Sequence, residues 1–389
     1  MTVDRDGAAR IASQRGPGVA LAQAPRAAVA ETGRASYALP RAPTATLSAG
    51  YRGGAFTPGP EIVLTVIQDV SLRRLGTARG AVAGALHDVV ETDIARAKLE
   101  AAARGALAWV GASEALEIFR LRSEGLAQAQ ALADTTRKRV DAGAALPYER
   151  ALAEAELGGA RASMLDAEGA EVEALAELRF ALGLSPVDAV GVRGDLYASD
   201  DAPAADRAPL AAEAPHPALD LARARARAAA EEARLTSATL GPTIGLGASY
   251  VREGTGDQVA LGIVSFPIPL FDPARFESSR QRASASIADA EVDRARAELA
   301  RERTVSAHER EHWREVRDAL RRGALAPTEE ALRLALAQYE AGSRDVTVVL
   351  LARQRLAATR ESLAHAAAEV QRADVRFARA AGTLAHGGT

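Results

Sequence analysis

The chain has 389 residues, 48% apolar but only 4% aromatic, and 48 Lys and Arg nearly balance 51 Asp and Glu for a formal net charge of −3. An interior so poor in rings is an Ala/Leu interior of the kind that closely packed helices build, and interspersed charge of both signs makes no electrostatic case for nucleic acid. Cysteine is absent, which excludes a disulfide framework, a thiolate site and a lipid-acceptor cysteine but leaves an oxidising compartment open.

Segment 1–41 is expected to be a short helical region interrupted by Gly16-Pro17-Gly18 and Pro25. Its Arg5, Arg10, Arg15 and Arg26 lie among small residues, without the roughly 7–15-residue apolar core of an export signal. Segment 42–71 reads as a first β-hairpin. Its first strand alternates Ala45, Leu47, Ala49 and Tyr51 with Thr44, Thr46, Ser48, Gly50 and Arg52, the period of two that puts alternate residues on opposite faces. A Gly/Pro-rich turn, Gly53 to Pro60, leads to a return strand at Glu61 to Gln68.

Segment 72–183 reads as a long helical hairpin, with an interruption expected around Gly125 and a tip at Gly143. Glycine just beyond a helix end is the usual C-cap, and a helix of roughly 65 residues extends on the order of 100 Å. Segment 184–215, with Pro186, Pro203, Pro209 and Pro215 among small and acidic residues, reads as a linker, and 216–240 as a short helix. In segment 241–271 a second hairpin alternates Ile244, Leu246, Ala248 and Tyr250 with Gly245, Gly247 and Ser249, turns at Glu253 to Asp257, and returns over Gln258 to Phe266. Segment 272–384 is a second long helical hairpin, with an interruption expected at Gly323 to Pro327 and a tip at Gly342; 385–389 is a tail.

The two halves repeat at a constant spacing. Pro43, Thr44, Leu47, Ala49 and Tyr51 recur 199 residues later as Pro242, Thr243, Leu246, Ala248 and Tyr250, and Gly143, Ala153, Leu157, Ala174 and Gly183 recur as Gly342, Ala352, Leu356, Ala373 and Gly382. One offset held over that span means two copies of one structural unit, far larger than a solenoid repeat. The last helix also carries a heptad, Val349, Leu356, Leu363, Val370, Phe377 and Leu384, beside a small-residue stripe of Ala352, Thr359, Ala366, Ala373 and Ala380. The first copy keeps the stripe as Ala153, Ala160, Ala167, Ala174 and Ala181. Sustained seven-residue spacing predicts coiled-coil packing, and alanine on the seam lets backbones approach closely.

No apolar run approaches the roughly 20 residues of a membrane helix, so a membrane span would have to be a β-barrel. Each strand is about the 9–11 residues that a tilted membrane strand needs. One hairpin alone reads more simply as a soluble hairpin with one solvated face, but two hairpins per chain make no independent sheet, so closure requires other subunits. His308-Glu309-Arg310-Glu311-His312 satisfies the pattern in which two histidines one turn apart bind zinc and a glutamate acts as base. Its charged intervening residues, and the isolation of His87, His216, His365 and His386 in the sequence, favour a solvated helix face instead. No phosphate loop, nucleophile elbow or carboxylate pair stands out, so neither an enzyme nor a cofactor is expected.

The chain resembles the TolC-like outer-membrane efflux proteins from about Val19 to Leu384. The resemblance rests on Leu39-Pro40 through Tyr51 entering the first strand, Ser265-Phe266-Pro267-Ile268-Pro269-Leu270-Phe271-Asp272 leaving the fourth, and the two glycine tips. The Pro-Ile-Pro-Leu-Phe-Asp form is most similar to the heavy-metal (cobalt, zinc, cadmium) branch. The resemblance implies a mainly α fold with a small β part. Long coiled-coil helices form an α-barrel across the periplasm, and four strands per chain contribute to the β-barrel of a homotrimer in the outer membrane, with Leu47, Ala49, Tyr51, Leu246, Ala248 and Tyr250 on the membrane strand faces. It implies a periplasmic adaptor (membrane fusion protein) and an inner-membrane pump as partners, no nucleic acid, and no active site. The adaptor-docking tips fall on Asp141, Ala142, Gly143 and Ala144 and on Ala341, Gly342 and Ser343, and the tunnel gate candidates on Tyr339, Arg344 and Asp345. Val348 and Leu351 stand where the family has aspartate rings, which puts an electrostatic filter in question. Under the resemblance, a chain without an export signal implies a truncated or misassigned start. The rival with the same fold is the outer-membrane duct of a type I protein-secretion system; the rival from another class is a soluble coiled-coil scaffold.

Overall fold

A computed structural model describes residues 1–35, 42–53, 59–71, 74–198, 215–240, 243–266 and 273–384. Leu39-Pro40, residues 54–58 of the Gly53 to Pro60 turn, Pro203 and Pro209, the Pro267–Asp272 run and the tail with His386 lie outside the described residues. In chain order the elements are β1 (Thr2–Val3), α1 (Arg5–Arg15), α2 (Pro17–Gln23), α3 (Arg26–Ala35), β2 (Thr44–Arg52), β3 (Gly59–Ser71), α4 (Leu75–Asp141) and α5 (Pro147–Ala181). They continue as β4 (Gly191–Val192), α6 (Pro217–Thr239), β5 (Thr243–Arg252), β6 (Gln258–Ser265), α7 (Pro273–Ala319), a π-helical stretch (Leu320–Leu325), α8 (Ala326–Glu340) and α9 (Val346–Ala381). None of the described helices is long and apolar enough to cross a membrane. The chain divides into two compact units, one of 1–22, 94–217 and 297–389 and the other of 23–93 and 218–296.

The second unit holds the sheet, four antiparallel strands in the order β2-β3-β5-β6. Register places Leu47 opposite Leu64, Leu64 opposite Tyr250 and Tyr250 opposite Ala260, while Leu246 pairs with Val264. Directly opposed residues share a face, so the apolar residues of β2, β3 and β5 sum to one largely apolar face, to which β6 adds Ala260 and Val264 while its Val259, Leu261 and Ile263 lie on the other. That face is uncovered: Leu47 is 70% exposed, Tyr51 71% and Val264 69%. On the other face Ser249 is buried and its hydroxyl lies 2.9 Å from that of Thr65. Gly247 is required there, because a Cβ would stand 2.4 Å from the Val66 carbonyl oxygen. The first return strand is longer than the sequence reading, Gly59 to Ser71, since Val70 continues the alternation past Asp69. β2 and β6 are the edges, each paired on one side only.

In the first unit, the short parallel pairing of β1 with β4 ties the chain start to what reads in the sequence as linker. Val3 and Val192 flank Trp109 of α4, whose indole N–H donates to the Val3 carbonyl at 3.0 Å. Ala8, Ala12, Leu178, Leu182, Ala364 and Ala368 complete that core. Small residues set its spacing: a Cβ on Gly105 would sit 2.5 Å from that of Ala12 and 2.6 Å from the Ala8 carbonyl oxygen. Along α9 the heptad residues Val349, Leu356, Leu363 and Val370 are buried, as are Ala366, Ala373 and Ala380 of the stripe.

Two interruptions expected from sequence take other forms. α4 runs through Gly125 unbroken; one glycine costs a helix only about 1 kcal/mol, and Arg353 donates to its carbonyl at 2.8 Å. Gly323 to Pro327 does not end its helix either, since the Leu320–Leu325 π stretch carries α7 into α8 with helical backbone at both junctions. The ring of an interior proline collides with the carbonyl four residues back, and the wider π turn before Pro327 displaces that carbonyl. Gly105→Val should lower the thermal unfolding midpoint of the detergent-purified chain by the equivalent of about 1–3 kcal/mol through overpacking. Gly158→Ala, where nothing lies within 4 Å of a Cβ, should leave the midpoint unchanged or raise it by about 0.5–1 kcal/mol.

Candidate functional site: the paired helix tips

The last turns of α4 and α8 end identically. Gly143 N–H donates to the Val140 carbonyl at 2.9 Å and Ala144 N–H to that of Arg139 at 2.8 Å; Gly342 and Ser343 repeat both bonds to Tyr339 and Gln338 at 3.0 Å. These are the two bonds of a Schellman cap, which needs a left-handed residue beyond the helix end, and Gly143 and Gly342 both have φ of +72°. Gly183 and Gly382 close α5 and α9 with the same bonds at φ of +65° and +75°, so four glycines at the repeat spacing end all four long arms. Asp141, Ala142, Gly143 and Ala144, and Ala341, Gly342 and Ser343, are all exposed.

Beneath this surface, side chains bind the two tips together. The Arg139 guanidinium lies over the Tyr339 ring, 4.4 Å from its centroid, and donates to the Tyr339 carbonyl and, at 3.5 Å, to that of Glu340. A cation there meets the carbonyls that a helix end leaves unpaired and the negative end of its dipole. Tyr339 is 1% exposed, its hydroxyl 2.9 Å from that of Thr136, on a core of Leu132, Ala335, Val346, Val349 and Leu350. At the starts of α5 and α9 the two oxygens of buried Glu149 accept from the Leu146 N–H at 3.0 Å and the Val346 N–H at 3.2 Å. One carboxylate thus serves two helix N-termini, where negative charge is favoured. The Tyr148 hydroxyl donates to Asp345 at 2.9 Å, which raises the phenol above its ordinary pKa. The proton that makes this bond is therefore held at neutral pH and lost only as pH climbs beyond the ordinary tyrosine range near 10.

Of the gate candidates, Tyr339 and Asp345 sit within these ties, whereas Arg344 is exposed and forms no ion pair with a described residue. The arginine on Tyr339 is Arg139. Val348 is half-buried against the core and Leu351 is 58% exposed. Sequence reading missed Thr136, Arg139, Tyr148 and Glu149; the capping position of Glu149, three residues beyond Leu146 and two beyond Pro147, was the available signal. On α7, His308 and His312 stack with ring centroids 6.1 Å apart, and Trp313 packs edge-on to both His312 and His365, so His365 is not isolated. His365 binds Glu114 at 2.9 Å. Among the described residues no three His, Cys, Asp or Glu side chains converge as a metal set.

Residues 209–383 match the family model of the outer membrane efflux protein. The outer-membrane channel OprN superposes with a TM-score of 0.79 at 17% identity, covering 97% of this chain and 90% of its own. CusC gives 0.80 at 16%, covering 98% and 92%, and VceC of Vibrio cholerae 0.76 at 16%, covering 97% and 96%. No curated protein matches. The shared property is the fold, long coiled-coil helices of an α-barrel with four strands per chain for a β-barrel.

If Glu149 ties the tips, Glu149→Ala leaves two backbone donors unpaired, a cost of about 1–3 kcal/mol. Hydrogen exchange at the Leu146 and Val346 amides should then accelerate roughly 5- to 150-fold, with exchange around Trp109 unchanged.

Proposed function

We propose that this chain is the outer-membrane channel subunit of a tripartite efflux system, a passive exit duct for small toxic solutes that works with a periplasmic adaptor and an inner-membrane pump. The observation that carries this reading is the sheet: one uncovered apolar face and two open edges in a four-stranded antiparallel array. In hydrocarbon an unpaired edge is prohibitively costly, so strands cross only as closed barrels. β2 and β6 run in opposite directions, so copies set side by side continue the antiparallel pattern, and three copies give a twelve-stranded barrel. Leu47, Ala49, Tyr51, Leu246, Ala248 and Tyr250 then face lipid.

The match of residues 209–383 to the outer membrane efflux protein family, and the fold shared with outer-membrane channels, support the same reading. We assign heavy-metal ions as cargo on the Pro267–Asp272 motif, and adaptor docking to the exposed tips around Gly143 and Gly342. At these caps a side chain with Cβ is disfavoured by roughly 1 kcal/mol or more, and a bulky charge would cover the small surface left by Ala142, Ala144, Ala341 and Ser343.

With an export signal, a matching adaptor and a matching pump, the chain should confer tolerance to cobalt, zinc or cadmium salts. Gly143→Glu or Gly342→Glu should abolish tolerance while trimer yield in detergent stays normal. Full tolerance in those variants moves the adaptor contact elsewhere. Export of an unfolded polypeptide with an ABC transporter, and no metal tolerance, makes the chain a type I secretion duct.

A further inference from the structure

Four helices of the first unit, α4, α5, α8 and α9, line a partly open cavity of about 240 Å³. Into it projects Arg353 of α9, a residue only 9% exposed. Its Nη2 donates to the Gly125 carbonyl at 2.8 Å, but Nε and Nη1 are buried without any acceptor. Guanidinium cannot shed its charge at neutral pH, and an unpaired buried charge is among the costliest features a fold can keep.

The other charged groups of the cavity do not answer this one. Arg122 is taken by Glu361 and Asp166, each at 3.1 Å, and Arg360 by Glu329 at 2.8 Å. Glu124 pairs with Arg120. The remaining carboxylate, Glu156, acts on Arg353 across the cavity but makes no ion pair with it. Neutral polar groups on the wall, Gln128, Ser163 and Gln354, all carry hydrogen-bond donors. A water in liquid takes about 30 Å³, so the space holds a small ion together with part of its hydration.

We propose that this cavity is a binding site for a small monoanion, a halide or a carboxylate of acetate size, held by the Nε and Nη1 of Arg353. The anion supplies the acceptors the fold leaves out and joins α9 to α4 and α5 across the seam. Burial weakens the hold of Arg353 on its own proton, and a bound anion opposes that effect. Glu156 repels the anion, which keeps the site exchangeable.

The test uses the full chain purified in detergent, with sodium gluconate, a larger and strongly hydrated anion, replaced stepwise by sodium bromide or sodium acetate at constant ionic strength. The unfolding midpoint should rise saturably, the rise should vanish in Arg353→Gln, and it should occur at lower concentration in Glu156→Gln. Whichever of bromide or acetate saturates first names the preferred anion. Crystals grown in bromide should show an anomalous peak against Arg353. If Arg353→Gln does not fold, the wild type and Glu156→Gln decide. An unshifted midpoint in both, or a map with Glu156 or water alone on Nε and Nη1, overturns the proposal.

Discussion

Backbone hydrogen bonding along the outer edges of β2 and β6 is the requirement on which the rest of this molecule depends. Four strands with an uncovered apolar face cannot stand alone in water, because Leu47, Tyr51, Leu246 and Val264 would stay wet. Nor can they stand alone in lipid, because two rows of backbone N–H and C=O would go unpaired. The proposed barrel meets both demands at once, because edges of neighbouring copies pair while the apolar face meets lipid. The alternation of β2, β3 and β5 fixes which face is apolar, since a shift of one residue in their pairing would exchange the faces.

The helical arms answer a different constraint. Long helices bury little apolar surface per residue unless their backbones come close, and alanine and glycine on the seams allow that approach. Gly105 against Ala8 and Ala12 occupies a spacing with no room for a larger side chain, and Ala366 and Ala373 along α9 are buried. Ion pairs then lace the less buried faces, as where Arg310 and Arg314 share Asp374 at 2.7 and 3.1 Å. At the tips, caps and polar ties add to a small apolar core: the left-handed Gly143 and Gly342 stop the helices, and Arg139, Glu149 and Tyr148 hold the stopped ends to one another.

Features that repeat at one offset are legible in the sequence for a physical reason. A left-handed cap restricts its position to glycine in either copy, so Gly143 and Gly342 announce themselves, and alternation in β2 and β5 is forced by a two-sided environment. What breaks the repeat is invisible to the same reading. Glu149 corresponds to Val348 in the second copy, so its role in joining the tips has no echo. Arg139 reaches Tyr339 across 200 residues of chain, and no local pattern encodes that meeting. Gly125 and Gly323 mislead because a glycine marks only a low barrier to breaking a helix, which tertiary contacts or a widened turn can override.

Closure of the sheet by other copies is the claim most open to direct measurement. Because the chain has no cysteine, a disulfide can be placed at will. Ser48→Cys on β2, combined in turn with cysteine at Val259, Leu261 or Ile263 on β6, puts thiols on the two edges and on one face of the sheet. After oxidation of membranes carrying the exported protein, denaturing gels should show covalent dimer and trimer for at least one pair and for none of the four single variants, with nothing larger than trimer. Monomer alone across all pairs, or a ladder that continues past trimer, would contradict a closed three-copy barrel.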